Sequence, residues 1–283
     1  MKKIVFDIED LQAMSPVFKN RILAFLGRKL IKWLDFEKVN IIHSTHCHLQ
    51  GAEFTSAILA DPIMDVKYVL HGKEHLESLP EGAFITISNH PIGSLDGIIL
   101  IDIFASRRKD YRVMVNGMLE KIGALAGNFI SVLPVTDKKY KGSSSNTGGV
   151  RACISCLKEG HPLGFFPAGA MSFKVKNKQI KDRPWIHSVV RLIRKANVPV
   201  YPVYFGCQNS KFFYWLGKIS WKIRTLRVPT EAFNKRGQTF DIYIGQPIPP
   251  ETLKQYPDDA ALADFLYRTT YNSKIKCNFV SSN

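Results

Sequence analysis

Apolar residues along this chain follow two rhythms that take turns. Short runs with apolar residues packed together or in alternation read as strands: "AFITIS" (83 to 88), "YRVMVN" (111 to 116), "NFISVLPV" (128 to 135), "PLGFFP" (162 to 167), "VPVYPVYFG" (198 to 206) and "TFDIYIG" (239 to 245). Between them lie stretches with helical spacing: "DGIILIDIFASR", "GMLEKIGALAG", "GGVRACISCLKEG" and "WIHSVVRLIRKAN", with another near residues 258 to 273. Strands that alternate with helices imply crossover connections, so the expected fold is α/β, a mostly parallel sheet flanked by helices. Chemistry in such sheets gathers beyond the carboxyl ends of the strands.

The first sixty residues have a different rhythm. In "SPVFKNRILAFLGRKLIKWLDFEKV", Ser15 is placed to cap a helix with Pro16 at its first position. Val17, Phe18, Ile22, Phe25, Leu26, Leu30, Trp33 and Leu34 recur at helical spacing, with Lys19, Arg21, Arg28, Lys29 and Lys32 between them. Such an amphipathic helix packs its apolar stripe on a core or lies in a membrane interface, and the pattern leaves both open. The division expected is an N-terminal helical segment over 1–60, able to associate with a membrane, and an α/β domain over 61–283. The stretch "NSKFFYWLGKISWKI" (209 to 223), with Phe212, Phe213, Tyr214, Trp215 and Trp221 beside lysines, suits either an interfacial patch or a core helix.

Composition narrows the partners more than the fold. With 45% hydrophobic and 22% charged residues, the 283-residue chain is of the folded globular class. Its net charge of +15, from 39 Lys and Arg against 24 Asp and Glu, favours a polyanionic partner such as nucleic acid, an anionic membrane surface or an acidic carrier protein. No zinc-finger, RNP or KH signature accompanies the charge, so nucleic acid is not the expected partner. The start, "MKKIVFDIED", does not read as a secretory signal, and no run approaches the roughly 18 to 20 apolar residues of a membrane span. A peripheral position on the cytoplasmic face of the inner membrane is expected. The polar segment 137 to 149, "DKKYKGSSSNTGG", reads as a surface connector or a lid. Five cysteines make a poor disulfide framework. "CISC" lacks a second pair, and His43, His46, Cys47 and His48 lack zinc-site spacing, so no metal is expected.

The candidate chemistry lies in "SNHPIGSLDG" (88 to 97), between a strand run and a helix run. His90 ends the strand, Pro91 and Gly93 turn the chain, and Asp96 on the following helix can fold back toward the imidazole. A carboxylate on one ring nitrogen fixes the tautomer and leaves the other nitrogen free to take a proton. A helix-capping Asp beside a structural His has the same pattern. A serine hydrolase using Ser94 is a rival, although "GSLDG" is not Gly-x-Ser-x-Gly; a non-enzymatic lipid-binding protein is another.

Three later stretches, "NFISVLP", "FFPAGAMS" and "VPVYPVYFGCQNS", repeat the placing of polar or glycine residues at strand ends. Together with Asn89, His90 and Asp96 they resemble the glycerolipid, or lysophospholipid, acyltransferase family over residues 80 to 210, and most nearly its hemolysin-like branch, which includes bacterial ornithine- and glycine-lipid acyltransferases. The resemblance implies that His90 is the catalytic base and Asp96 its orienting partner, with Asn89 and Gly93 shaping the loop. It implies that Phe166, Pro167, Ala168 and Gly169 form the acceptor wall, with Gly169 offering backbone N–H groups to an oxyanion. Val198, Pro199, Val200 and Pro202 would border an acyl channel or form sheet core.

Two departures stand out. The spacer "PIGSL" has one residue more than the family's usual four. Where phosphate-recognising members read Glu-Gly-Thr-Arg, this chain has Ala168, Gly169, Ala170 and Met171, so the Arg suited to bidentate phosphate recognition is missing. Lys174, Lys176 and Lys178 are point charges nearby. The implied reaction moves a fatty acyl chain from a thioester of acyl carrier protein or coenzyme A to a lyso-lipid hydroxyl, without a bound cofactor. An amino-acid lyso-lipid is favoured over 1-acyl-glycerol-3-phosphate as acceptor.

Overall fold

The computed structural model describes residues 4–116, 119, 121–132, 144–175 and 179–280. Among the described residues nine strands run in chain order as β1 (Lys67–His71), β2 (Ile85–Ser88), β3 (Arg112–Asn116), β4 (Phe129–Val132), β5 (Leu163–Phe165), β6 (Phe173–Lys174), β7 (Ile180–Lys181), β8 (Val200–Phe205) and β9 (Thr239–Ile244). Seven of them form one sheet in the order β1-β9-β8-β2-β5-β3-β4, parallel throughout except at the β8–β9 pair. The expected α/β class with a mostly parallel sheet is the observed one. The strand β1 escaped the sequence pattern because "KYVLH" is an edge strand with no fully buried residue, so no apolar alternation was required of it. The two-residue strands β6 and β7 form a separate antiparallel hairpin, too short to carry a period.

Helices come as α1 (Ile8–Met14), α2 (Arg21–Trp33), α3 (Phe36–His46), α4 (Gly51–Ala60), α5 (Glu74–Glu77), α6 (Ser94–Ala105) and α7 (Ser144–Lys158), then α8 (His187–Ala196), α9 (Lys211–Ile219), α10 (Trp221–Leu226), α11 (Val228–Phe233), α12 (Pro250–Lys254) and α13 (Asp259–Val280). The central strand β2 divides its side chains between two cores, as the period of two demands. Phe84 just before it joins Ile99, Leu100 and Phe104 of α6 and Phe54 and Ile58 of α4 on one face. Ile85 and Ile87 join Cys153 and Cys156 of α7, Val190 and Ile193 of α8, and Leu262 and Leu266 of α13 on the other. The two thiols are thus core packing, and burial pushes Cys153 up to about 12. Helix α4, within the first sixty residues, is a full member of the first core.

Several expectations about helices are corrected. Among its described residues the stretch 117 to 127 is 3-10 rather than α-helical, at Leu119 and Lys121 and in the turn Gly123–Asn128. The single helix expected over 15 to 39 is broken. Ser15 makes no side-chain cap, a short 3-10 turn spans Pro16–Lys19, and Asn20 is the true cap, accepting from the N–H groups of Ile22 and Leu23. Asp35, at φ 61°, then separates α2 from α3. The apolar stripe is divided: Ile22 is 73% exposed and Trp33 61%, with Val17, Phe25 and Leu26 also exposed, while Leu34 is buried with Phe18 and Leu30 packed beside it. What α2 turns inward is Ala24, Gly27 and Ile31, and Gly27 lies so close to Ile8, Leu11 and Phe18 that a methyl there would crowd all three. Residues 137–143 of the expected connector or lid lie outside the described residues, and 144–149 begin α7.

Candidate functional site

The loop from β2 to α6 brings His90 and Asp96 together. Strand β2 ends at Ser88, and Asn89 ties its end to β8 through two bonds: its side-chain amide donates to Phe205 O at 3.0 Å and its carbonyl accepts from Phe205 N at 2.7 Å. Pro91 and Ile92 then lead to Gly93, whose φ of 109° is a conformation that L side chains resist. Across the five-residue spacer the two side chains still meet. Asp96, fully buried in the first turn of α6, presents Oδ2 to three donors: His90 Nδ1 at 2.9 Å, Ile92 N at 3.0 Å and Gly93 N at 2.9 Å. Capping and orienting are therefore not alternatives; one carboxylate does both. Nε2 of His90 has no hydrogen bond among the described residues, and the side chain keeps 19% exposure. The ring stacks on Phe166 with centroids 4.2 Å apart.

A second set of groups fixes the main chain of His90. Ser172 N donates to His90 O at 2.8 Å, His90 N donates to Asp182 Oδ1 at 3.3 Å, and Ser172 Oγ donates to the same Oδ1 at 2.5 Å. Burial pushes the Asp182 carboxyl above the usual carboxylate range, against the opposing pull of its bonds from Ser172 and His90. Asn209 Nδ2 holds Ile92 O at 2.9 Å. Sequence reasoning missed Asp182 and Asn209 as site residues because they lie about a hundred positions along the chain; Asp182 falls in no quoted stretch, and Asn209, near the end of "VPVYPVYFGCQNS", is brought to Ile92 only by the fold. Ser172 closes the quoted "FFPAGAMS" stretch, but its bond to His90 exists only in the fold.

Other expected site residues divide into those placed here and those placed elsewhere. Phe166 and Ala168, both buried, follow β5 beside β2, so this wall adjoins His90. Gly169, however, donates its N–H to Phe166 O at 2.9 Å to close the turn, which engages the donor expected to serve an oxyanion. For Val198, Pro199, Val200 and Pro202, expected to border an acyl channel or form sheet core, the positions are those of the sheet. Val200 pairs with Ile85 at the start of β2 and packs in the core beneath α8 and α13, whereas Ser88 pairs with Val203. At about 3.3 Å per residue, Val200 sits roughly 10 Å, and Val198 roughly 16 Å, from the Ser88 end of β2 that His90 follows. Pro202 pairs with Ile87 inside the sheet and accepts from Gly245 N. Ser94 opens α6 without a hydrogen bond to His90. Lys174 lies on β6, while Lys176 and Lys178 are outside the described residues. His43 and His46 belong to α3, with His46 bonded to Asp61 at 2.8 Å. Among the described residues no three His, Cys, Asp or Glu side chains could hold a metal ion.

The surface near the site is apolar and basic. Phe212, Trp215 and Ile219 of α9 and Trp221 and Ile223 of α10 are exposed, while Phe213, Tyr214 and Leu216 are buried, so "NSKFFYWLGKISWKI" is both core helix and outward patch. Arg227 lies over the rings of both Phe212 and Trp33, at 4.8 Å and 5.8 Å from their centroids, joining this patch to α2. No helix among the described residues is long and apolar enough to cross a membrane.

A family described as acyltransferase has a model that matches residues 10–278. The lyso-glycine lipid O-acyltransferase of Bacteroides thetaiotaomicron is 28% identical over 269 residues, spanning 92% of this chain and 94% of its own length. That of Phocaeicola vulgatus is 28% identical over 243 residues, 83% of this chain and 82% of its own. The crystal structure of the 1-acyl-sn-glycerophosphate (LPA) acyltransferase PlsC from Thermotoga maritima is 15% identical and covers 87% of this chain and 94% of that one, with a TM-score of 0.48.

Proposed function

This chain belongs to that acyltransferase family, and from that premise we propose that it carries a fatty acyl group from a thioester to the hydroxyl of a lyso-lipid of the lyso-glycine-lipid kind. The acceptor follows the names of the two relatives, which match most of this chain. The observation that carries the chemistry is the 2.9 Å bond from His90 Nδ1 to a buried carboxylate, just beyond the carboxyl end of β2, with Nε2 unengaged. With Nδ1 holding its proton against Asp96, Nε2 is the nitrogen able to act as base.

The steps follow from that tautomer. His90 Nε2 takes the proton of the acceptor hydroxyl as its oxygen bonds to the thioester carbonyl carbon. Asp96 stabilises the imidazolium that results. Collapse of the tetrahedral intermediate breaks the C–S bond, and Nε2 returns the proton to the departing thiolate. The products are the diacylated lipid and the free thiol of acyl carrier protein or coenzyme A. The protein works at an anionic bilayer surface: Ile22, Phe25, Leu26, Phe212 and Trp215 offer an apolar face, and lysines and arginines beside them add about 1 kcal/mol each near anionic head groups. Peripheral binding by an interfacial face is consistent with the absence of a spanning helix among the described residues.

The test is mass-spectrometric product analysis with purified protein, acyl carrier protein and coenzyme A thioesters, and a panel containing lyso-glycine lipid and lysophosphatidate. Diacylated glycine lipid is expected, and His90→Ala is expected to slow its formation by about 100- to 10,000-fold. No acylated lyso-glycine lipid, or near-full activity of the His90 variant, refutes the reading.

A further inference from the structure

One charge in this fold lacks a counterpart. Arg224 of α10 is only 6% exposed. Its Nη1 donates to Ser172 O at 3.3 Å and its guanidinium faces Phe213 at 5.3 Å, yet Nε has no hydrogen-bond partner among the described residues. No carboxylate pairs with it among them. Burial, reinforced by Arg183, pulls its pKa down. A guanidinium does not shed its proton at working pH, so burial leaves a charge whose desolvation costs several kcal/mol unless an anion arrives. The fold makes room for it: at Gly217 of α9, a methyl group would stand 2.8 Å from Arg224 Cδ.

Arg224 faces a cleft of ≈ 100 Å³. Lys174, Arg183, Lys218 and Arg224 bring four cations to its lining, and no Asp or Glu lines it. Its position relative to His90 is set by Ser172, whose carbonyl accepts from Arg224, whose N–H donates to His90 O, and whose hydroxyl donates to Asp182. The cleft residues Phe173 and Arg183 directly follow Ser172 and Asp182 in the chain, so the cleft is one residue removed from the groups that hold His90. A volume of ≈ 100 Å³ is several times the ~10–15 Å³ that one water needs, so the cleft has room for a small polar group. A carboxylate with its neighbouring methylene is of that size, and the lining's cations suit its charge.

We propose that this cleft is the acceptor's head-group subsite, in which Arg224, with Arg183 at the rim, receives the lipid's carboxylate and so delivers the hydroxyl to His90. The subsite rests on the proposed lyso-glycine-lipid acceptor. It supplies from α10 and the β7–α8 connection the cation that Met171 does not.

The experiment compares lyso-glycine lipid with its primary amide as acceptors for the wild type, Arg224→Gln and Arg183→Gln. Circular dichroism and melting check that each variant is folded. The wild type is expected to favour the carboxylate by about 10- to 100-fold in kcat/KM, the worth of a hydrogen bond to a charged group. Arg224→Gln is expected to remove that preference by slowing only the carboxylate acceptor, with the KM for the acyl donor unchanged. Arg183→Gln, at an exposed position that does not pack in the core, should do the same to a smaller degree, and it keeps the test open if the buried substitution does not fold. Equal wild-type turnover of both acceptors overturns this inference alone. So does a rise in donor KM with acceptor preference intact, which assigns the cations to a donor phosphate. No turnover of either acceptor overturns the proposed acceptor and the subsite together.

Discussion

Replacing Asp96 with Asn separates the charge of the carboxylate from its geometry. All three donors around Asp96 point at Oδ2, while Oδ1 has no partner. The new amide can therefore place its oxygen where Oδ2 stands and its NH2 where Oδ1 stands, or the reverse. The reverse leaves the N–H groups of Ile92 and Gly93 without an acceptor, at about 1–3 kcal/mol each, so roughly 2–6 kcal/mol hold the amide oxygen toward His90. The imidazole keeps its tautomer and loses only the difference between a charged and a neutral acceptor, about 1.5 kcal/mol or roughly tenfold in rate. The displaced NH2 is buried and unsatisfied, which costs stability and lowers Tm by a few degrees. Asp96→Ala has no oxygen to offer, and its activity is expected to fall to the level of His90→Ala. Initial rates of thiol release for the three variants, with melting curves, make the comparison. If Asp96→Asn is as inactive as His90→Ala, the backbone donors do not fix the amide and the reasoning fails.

Other expectations follow from the same geometry. Gly93→Ala forces an unfavourable φ of 109° and sets a methyl 2.7 Å from Met171 Sδ, so a loss of about 1–3 kcal/mol in stability is expected by thermal melting, with reduced activity from a displaced His90 loop. Unchanged melting refutes it. Asp110 resists ionisation through burial, but bonds from Arg108 and His161 outweigh this and hold its carboxyl below the usual range. A lowered carboxylate adds stability above its unfolded value and loses it as pH falls through the folded one. Asp110→Asn should thus cost up to about 1 kcal/mol at pH 7, discounted for exposure, with the gap to wild type closing below about pH 4 in denaturant melts. Phe25→Ser combined with Ile22→Ser should weaken cosedimentation with anionic vesicles at least tenfold while leaving Tm unchanged; a drop in Tm would show that these side chains pack inside.

The chain announces its sheet wherever burial on both faces demanded apolar runs. That is why β2, β5 and β8 could be read directly, along with the loop after β2 that carries His90 and Asp96. It conceals what burial does not pattern. β1 is an edge, and the apolar stripe of α2 has the same spacing whether it faces a core or a bilayer. Arg224 looked like one of many dispersed cations, because its isolation from carboxylates exists only once α10 packs over Ser172. The Val198 to Val200 run was legible as a strand but not by its end, since apolar character does not say which edge of a sheet it approaches.

The sharing of Asp96 between helix start and imidazole has a consequence for control. Since one buried oxygen stops the end of α6 from fraying and also holds the ring, the dyad cannot be switched off by a simple side-chain rotation while the domain stays intact. Activity and native structure should vanish at the same denaturant concentration, and any physiological on–off signal must act on access of lipid or thioester to the site, not on the site's internal arrangement.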